Sequence, residues 1–242
     1  MKHIILLLVA ILGFNSANAQ WWGNNKRIKG NGEVITKTFN IANFDKISGK
    51  SSIDIILVEG KEGIITVEAE SNIMEYIEIE VKGKKLEIGL KDGTNYNTRK
   101  GINVTVNVES INALSMSGSG DIKSHMNLKS RNLEISVAGS GNIISQVESQ
   151  NLEVHIAGSG DVTLNGRTEN LDANIAGSGD IEAMSLKAYN VEASIAGSGD
   201  VSVYCTGGKL RASIVGSGDL TYKGTTSSIK KSVLGSGDIT KI

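Results

Sequence analysis

The chain has 242 residues with a nearly balanced charge, 25 Lys and Arg against 26 Asp and Glu, and only 4 % of its residues are aromatic. This composition argues against nucleic-acid binding, which needs a basic surface and stacking rings. The single cysteine, Cys205, excludes an intramolecular disulfide, so stability has to come from packing and backbone pairing.

Residues 1–19 have the form of a secretory signal. Lys2-His3 gives a positive start, an apolar run follows from Ile4 to Phe14, and Ala17-Asn18-Ala19 forms a small-x-small cleavage site. The apolar run is much shorter than the roughly 20 residues that a membrane-spanning helix needs. We therefore expect export to the periplasm, the cell surface or the medium, with a mature chain that begins near Gln20 and has no membrane span.

Residues 20–110 are predicted to form an irregular β region. Candidate strands with apolar alternation cover six segments: 33–39, 52–58, 64–70, 76–81, 85–90 and 102–108. One helical turn is expected at 71–74. The stretch Ser48 to Asp54 is similar to the turn that repeats later in the chain. We expect this half to consist of irregular coils that cap the first edge of a solenoid.

Residues 111–242 carry an internal repeat. Gly-Ser-Gly occurs seven times, at intervals of 21, 19, 19, 20, 19 and 19 residues. The turn glycines are Gly118, Gly120, Gly139, Gly141, Gly158, Gly160, Gly177, Gly179, Gly197, Gly199, Gly216, Gly218, Gly235 and Gly237. An acid or amide follows every copy: Asp121, Asn142, Asp161, Asp180, Asp200, Asp219 and Asp238.

Apolar and polar residues alternate with period two through each repeat, which is the signature of a β-strand. The alternation that begins at Leu152 runs straight through Gly158 and Gly160, so both glycines are expected on the inner face at a bend. A propeller blade needs about 40 residues, twice what this repeat offers. The pattern predicts an all-β fold, a right-handed parallel β-helix (solenoid) with coils of about 19 residues and two or three short strands in each.

Stacked coils would align equivalent residues into inner columns about 4.8 Å apart. Two columns are expected: Leu133, Leu152, Leu171, Val191, Leu210, Ile229 and Val137, Ile156, Ile175, Ile195, Ile214, Val233. Cys205 continues the inward phase and is expected in the core. Lys231 takes an inward position in the last coil, where lysine either deters the addition of a further strand or merely marks a frayed end.

Three segments accompany the serial Gly-Ser-Gly-Asp turns: Phe44-Asp45-Lys46-Ile47, Ile53-Asp54-Ile55 with Gly60, and Lys85-Leu86-Glu87-Ile88. Together they resemble the putative auto-transporter adhesin, head GIN domain family. The resemblance covers nearly the whole mature chain. It implies an exported β-helical protein with an adhesive role, and it brings no catalytic residues to carry over.

The turn aspartates need compensation, because carboxylates about 5 Å apart repel by roughly 3 kcal/mol at the effective dielectric of a protein surface. Either each side chain accepts backbone N–H bonds within its own turn, or calcium bridges successive coils. Calcium repeats of the β-roll type place Asp two residues after a glycine, whereas these turns place it directly after one. Asn142 would also weaken a cation site. We therefore expect turn hydrogen bonds and no calcium.

No catalytic or metal-binding constellation is predicted. His125 and His155 lie in different repeats without a third ligand at metal spacing. The turn serine occurs seven times, whereas a nucleophile is needed once. No cofactor is expected.

The sequence thus predicts an exported, non-enzymatic binding or adhesion module of the cell envelope, whose partner is a surface ligand, either protein or glycan. The alternative is a carbohydrate-active enzyme, a polysaccharide lyase or hydrolase, because such enzymes also use parallel β-helices. Their paired carboxylates lie in a cleft walled by long loops, whereas these coils are nearly minimal in length. A concave pocket with convergent carboxylates would favour the enzyme. The oligomeric state stays open.

Overall fold

The computed structural model describes residues 27–242, and the predicted signal at residues 1–19 lies outside them. Within these residues the chain forms nineteen strands and one 3-10 turn, Met74–Tyr76. The strands are β1 Arg27–Lys29, β2 Val34–Asn40, β3 Lys46–Ser51, β4 Asp54–Glu59, β5 Ile64–Glu70, β6 Ile77–Lys82, β7 Lys85–Leu90, β8 Asn95–Asn97, β9 Asn103–Val108, β10 Ala113–Gly118, β11 Ile122–Gly139, β12 Ile143–Gly158, β13 Val162–Gly177, β14 Ile181–Gly197, β15 Val201–Thr206, β16 Lys209–Gly216, β17 Leu220–Thr225, β18 Ser228–Gly235 and β19 Ile239–Lys241.

The fold is a β-solenoid of about seven turns, with coils about 19 residues apart. Strands β11 to β14 pair in parallel, so that each residue lies beside its counterpart in the next coil. From β14 onward the coil divides into two strands: one series continues through β15, β17 and β19, and the other through β16 and β18. The all-β solenoid that the repeat predicted is therefore confirmed.

Both predicted inner columns are confirmed by the strand register, which aligns all of their members. All are buried except the last member of each column: Ile229 and Val233 are each 42 % exposed. The coil that carries them has no further coil stacked on it within the described chain. An inner face of one coil is thus buried only by its neighbours, as expected for a repeat array.

The strands within a coil are longer than expected. Instead of two or three short strands, β13 extends without interruption over Val162–Gly177. The chain bends inside this strand, because Thr168 and Leu171 are both buried although they lie three positions apart, which in a straight strand would put them on opposite faces. Parallel hydrogen bonding continues on both sides of the bend, and this keeps the backbone extended through it.

The first half of the chain joins the same parallel stack but closes it differently. Strands β3 and β4 pair in parallel with β10 and β11, and on their other side β7 and β9 add one more parallel layer. Beyond that layer the pairing becomes antiparallel, with β6 on β7 and β5 on β9, and β2 on β5. This antiparallel pairing was not predicted from the sequence. The division of the chain into two regions at residue 110 stays a prediction.

The candidate strands of this half agree with the observed ones to within two residues, and 64–70 and 85–90 agree fully. Strands β1, β3 and β8 were not predicted from the sequence. The helical turn expected at 71–74 lies three residues further on, at Met74–Tyr76.

The stretch Ser48 to Asp54 does contain a counterpart of the later turns. Ser51 lies beside Gly118 in the parallel register and has φ of +66°, while Gly49 lies beside Met116. The one glycine of this stretch is therefore not the equivalent of a turn glycine. A serine occupies that position in the left-handed region, which is uncommon for residues other than glycine.

The last edge of the solenoid carries the predicted lysine. Lys231 lies beside Ala212 in the register, and its Nζ donates a hydrogen bond of 2.7 Å to the carbonyl oxygen of Ile239. The same Nζ lies 5.3 Å from the centre of the Tyr222 ring. The lysine side chain thus reaches across the open end of the last coil, where another strand would have to dock.

Replacing Lys230 and Lys231 by threonine is expected to increase end-to-end association, because threonine favours strand pairing and removes the charge that opposes it. Light scattering across a concentration series measures the association. A variant with Lys129 and Lys187 changed to threonine is the control, since both residues lie within the regular coils. Equal monomer content in both variants would count against edge protection by Lys231.

Candidate functional site

Each Gly-Ser-Gly corner joins the strand that ends at its first glycine to the strand that follows. Its two glycines differ in backbone conformation and in burial. The first glycine of each corner has φ between +123° and +143°, while the second is buried. A Cβ atom on Gly177 would lie 2.1 Å from the carbonyl oxygen of Gly158, and one on Gly179 would lie 2.0 Å from that of Gly160. The obstruction therefore lies along the stack, against the preceding coil, rather than at the inside of the bend as the sequence suggested.

Backbone hydrogen bonds hold each corner on the one before it. The amides of Ser178 and Gly179 both donate to the carbonyl oxygen of Gly158, at 2.8 and 3.2 Å. The same pattern begins at Ser119, whose amide donates to the Ser51 carbonyl oxygen at 2.9 Å. The two donors share one carbonyl oxygen, so successive corners lie close together. A side chain on either glycine would not fit between one corner and the corner before it.

The predicted turn residues form one continuous ladder, which we name the aspartate ladder: Asp121, Asn142, Asp161, Asp180, Asp200, Asp219 and Asp238. Each backbone amide donates to the side-chain Oδ1 of the preceding member, at distances from 2.7 to 3.2 Å. One more acceptor precedes the ladder, in the first half of the chain, where the Asp121 amide donates to Asp54 Oδ1 at 3.0 Å.

This arrangement corrects the expectation that each carboxylate accepts N–H bonds within its own turn. The bonds cross from coil to coil, because stacking places the amide of one coil directly over the carboxylate of the coil before it. Asn142 fits the same position, since its Oδ1 accepts from the Asp161 amide at 3.0 Å. An amide oxygen thus replaces a carboxylate oxygen without loss of the bond.

A second ladder was missed by the sequence reasoning. Asn132, Asn151, Asn170 and Asn190 form the asparagine ladder, in which each Nδ2 donates to the Oδ1 of the preceding member at 2.7 to 2.9 Å. It ends where the Lys209 amide donates to Asn190 Oδ1 at 3.0 Å. The signal was present, because these asparagines immediately precede one inner column at the same period as the glycines.

The histidines are not brought together with metal-binding partners. His155 lies between Ser136 and Asn174 in the register, and its nearest charged neighbour is Glu153, 3.8 Å from Nε2. Residues 27–242 contain no group of three or more His, Cys, Asp and Glu side chains arranged as metal ligands.

Cys205 lies in the core, only 1 % exposed, between Ala188 and Gly224 of the adjoining coils. Burial raises the pKa of its thiol to about 11, an effect that the positive charge of Lys241 only partly offsets. The thiol therefore stays protonated at neutral and mildly alkaline pH, and the thiolate that reacts is scarce.

We expect Cys205 to resist alkylation by iodoacetamide at pH 8 in the folded protein and to take up one label after unfolding. Intact mass spectrometry measures both states, and the denatured chain serves as the control. Labelling of the folded protein at the rate of a free thiol would contradict the assignment of Cys205 to the core.

Three shallow grooves lie on the outer surface of the regular coils. One groove of about 470 Å³ follows a column of small residues that includes Ala138, Ala157 and Ala176. Another, of about 820 Å³, lies among charged residues such as Lys129, Glu148 and Arg167. The third, of about 500 Å³, lies beside the asparagine ladder and contains Tyr189.

The sequence model of the family described as "Putative auto-transporter adhesin, head GIN domain" matches residues 43–226. The chain belongs to this family. The resemblance that the sequence segments indicated is thus confirmed, and the match includes both the irregular first half and most of the Gly-Ser-Gly repeats of this head GIN domain.

Solved structures similar to this head GIN protein include chains from Bacteroides and Parabacteroides species. One, described as a putative adhesin from Bacteroides fragilis, is 28 % identical with a TM-score of 0.83, and the match covers 89 % of this chain and 100 % of that one. Another, described as a putative lipid binding protein from Parabacteroides distasonis, is 31 % identical with a TM-score of 0.75, covering 90 % and 100 %.

A third, described as a putative adhesin from Parabacteroides merdae, is 25 % identical with a TM-score of 0.72, covering 89 % and 99 %. The comparison with curated proteins finds no match to this head GIN protein. Within residues 27–242, no helix has the length and apolar character needed to cross a membrane.

Proposed function

We propose that this protein is an exported, non-enzymatic binding module of the cell envelope with an adhesive role. The observation that carries the proposal is its similarity, over nearly 90 % of the chain, to solved structures described as putative adhesins. The outer surface of the solenoid supports the same reading, because parallel register holds identical or similar side chains at constant spacing along it. Such a surface suits contact with an extended or multivalent partner.

One outward column illustrates this regularity. Glu134, Glu153, Asp172 and Glu192 lie side by side in successive coils, and Arg211 and Lys230 continue the same column. The change of sign occurs where Arg211 Nη1 lies 3.5 Å from Glu192 Oε2. This column therefore presents four acidic side chains followed by two basic ones along the solenoid.

The same column argues against glycoside hydrolysis. That reaction needs two carboxyl groups that flank the scissile bond in different environments, so that one is protonated while the other is ionised. Asp172 and Glu192 are neighbours on one column and project in the same direction from equivalent positions. Because both side chains project from one column in the same direction, they do not flank a bound sugar from opposite sides, and the groove in which they lie gives the enzyme alternative no support.

Export is tested by expressing the full chain in a bacterial host, fractionating the cells and sequencing the N-terminus of the exported protein. The proposal expects a chain that begins near Gln20 outside the cytoplasm. Deletion of residues 2–19 should leave the protein inside the cytoplasm. Recovery of the unprocessed chain in the cytoplasm of both strains would contradict export.

The binding role is tested with the full chain immobilised on beads and exposed to envelope fractions of the producing bacterium. Fractions treated with protease or with periodate separate protein ligands from glycan ligands. Retention should need the folded solenoid, so beads that carry the Gly177→Val variant are the control. Release of new reducing ends or unsaturated sugars from added polysaccharides would instead support the enzyme alternative.

A further inference from the structure

The asparagine corner of the solenoid changes its character between two coils. In four successive coils the residue before the ladder asparagine has a long or ring side chain: Arg131, Gln150, Glu169 and Tyr189. In the next coil that position is Gly208, whose amide donates to the Tyr189 carbonyl oxygen at 3.0 Å. The regular column of side chains therefore stops at Tyr189, because the next coil has no side chain at this position.

Two glycines of the next coil, Gly207 and Gly208, lie against Tyr189. Gly207 has φ of +133°, and a Cβ atom there would lie 3.5 Å from Tyr189 Cε2. A Cβ atom on Gly208 would lie 2.2 Å from the Tyr189 carbonyl oxygen. Tyr189 itself is 50 % exposed.

The groove of about 500 Å³ beside Tyr189 has a rim that both donates and accepts hydrogen bonds. Asp172 and Glu192 supply carboxylate acceptors, and Lys209 and Arg211 supply cationic donors. Their formal charges cancel. The groove therefore has no excess charge with which to attract an ionic ligand.

The groove is also pre-formed. Asn190 is fixed on both sides, since its Nδ2 donates to Asn170 Oδ1 at 2.9 Å and its Oδ1 accepts from the Lys209 amide at 3.0 Å. The Ser227 amide donates to the Gly208 carbonyl oxygen at 2.8 Å, which holds the following coil in place. A ligand would thus meet a rigid floor and lose little free energy in ordering it.

We propose that this groove binds a neutral sugar ring of a surface glycan, with Tyr189 as the stacking platform. A sugar ring has an apolar C–H face, which suits an aromatic surface, and a rim of hydroxyl groups that both donate and accept. The ring face of Tyr189 and the mixed rim of Asp172, Glu192, Lys209 and Arg211 match these two requirements. This inference rests on the proposed binding function and names the chemical class of its ligand.

A shallow groove of this kind binds a single sugar weakly, with a dissociation constant of roughly 1 mM, because few atoms are buried. Useful adhesion would then come from many copies on one surface engaging a polymer at once. A lipid chain fits less well, since charged side chains surround the ring.

The test uses the full chain, uniformly isotope-labelled, titrated with neutral trisaccharides of glucose, galactose, mannose and N-acetylglucosamine. NMR spectra report binding at the Tyr189 ring and at the Asn190 and Lys209 amides, and these two amides remain as reporters when Tyr189 is replaced. At least one trisaccharide should shift the Tyr189 resonances saturably, and Tyr189→Ala should weaken that binding by about tenfold or more, which corresponds to the loss of one stacking contact. Tyr189→Phe should retain most of the affinity.

Tyr204→Ala is the matched control, because Tyr204 lies on another face beneath Lys223 Nζ, 4.9 Å from its ring centre. Failure of every trisaccharide to shift Tyr189 would overturn the inference, and so would binding that survives Tyr189→Ala. The proposed function is judged separately by retention of envelope material on beads. If Tyr189→Ala beads retain that material as well as the parent does, the adhesive function stands and the glycan groove does not.

Discussion

Replacing Gly177 by valine is expected to prevent the solenoid from folding, or to destabilise it by about 4 kcal/mol or more. Two independent costs combine at this position. The backbone has φ of +143°, which β-branched residues do not tolerate, and a Cβ atom would lie 2.1 Å from the Gly158 carbonyl oxygen. Neither cost can be relieved by a side-chain rotation, because the obstacle is backbone of the adjoining coil. Soluble yield and thermal unfolding measure the effect.

Gly179→Val should be nearly as damaging, although only the second cost applies there, with 2.0 Å between the added Cβ and the Gly160 carbonyl oxygen. The matched control is Ser178→Val, which places the same side chain between the two glycines at an exposed position. That variant should express and melt like the parent. Melting temperatures of Gly177→Val and Ser178→Val that agree within a few degrees would disprove the stacking explanation for the glycines.

The stability of the solenoid should depend on the Oδ1 atoms of the aspartate ladder rather than on their negative charge. Changing Asp161, Asp180 and Asp200 together to alanine removes three acceptors and leaves three backbone amides without their partners. At about 1 kcal/mol for each bond, the combined loss is roughly 3 kcal/mol. The same three positions changed to asparagine keep Oδ1 in place, as Asn142 already does, and should cost little. Equilibrium unfolding in urea compares the two variants.

Calcium should have no effect on this ladder, because Oδ1 of every member before Asp238 already accepts a backbone amide and residues 27–242 hold no cluster of metal-ligand type. The melting temperature is therefore expected to be the same with excess chelator and with added calcium. A large rise in melting temperature with calcium, lost when Asp180 and Asp200 become asparagine, would make the ladder a cation site and overturn this prediction.

The urea experiment on the two triple variants has its own contrary outcome. Equal losses of unfolding free energy in the alanine and asparagine variants would show that the charge, and not the oxygen, stabilises the ladder.

The inward-facing positions were predictable because strand periodicity is a local property of the sequence. Leu171, Ala173 and Ile175 alternate with polar residues, and the structure buries all three. The nearly constant repeat length then indicated which residues become neighbours, since a coil of similar length returns the chain to the same position one layer further on. Lys231 was found in the same way, from its place in the inward phase.

The antiparallel strands at the first edge were not predictable in the same manner. Their alternation indicated strands at 64–70 and 85–90, yet alternation does not record the direction of the neighbouring strand. That direction depends on which segment meets the exposed edge of the parallel stack. The Tyr189 groove escaped prediction for a related reason, because it arises from the absence of a side chain at Gly208 in the adjoining coil.

The sequence by itself determined the solenoid, its coil length, its inner columns and the places of its turn glycines, because each follows from the repeat and from period-two alternation. Only the tertiary structure decided what those glycines avoid and what the aspartates bind. In both cases the partner atom is a backbone atom of an adjoining coil, the preceding one for the glycines and the following one for the aspartates, about 19 residues away along the chain. Its position depends on how closely the coils stack, a distance that no local pattern of residues records.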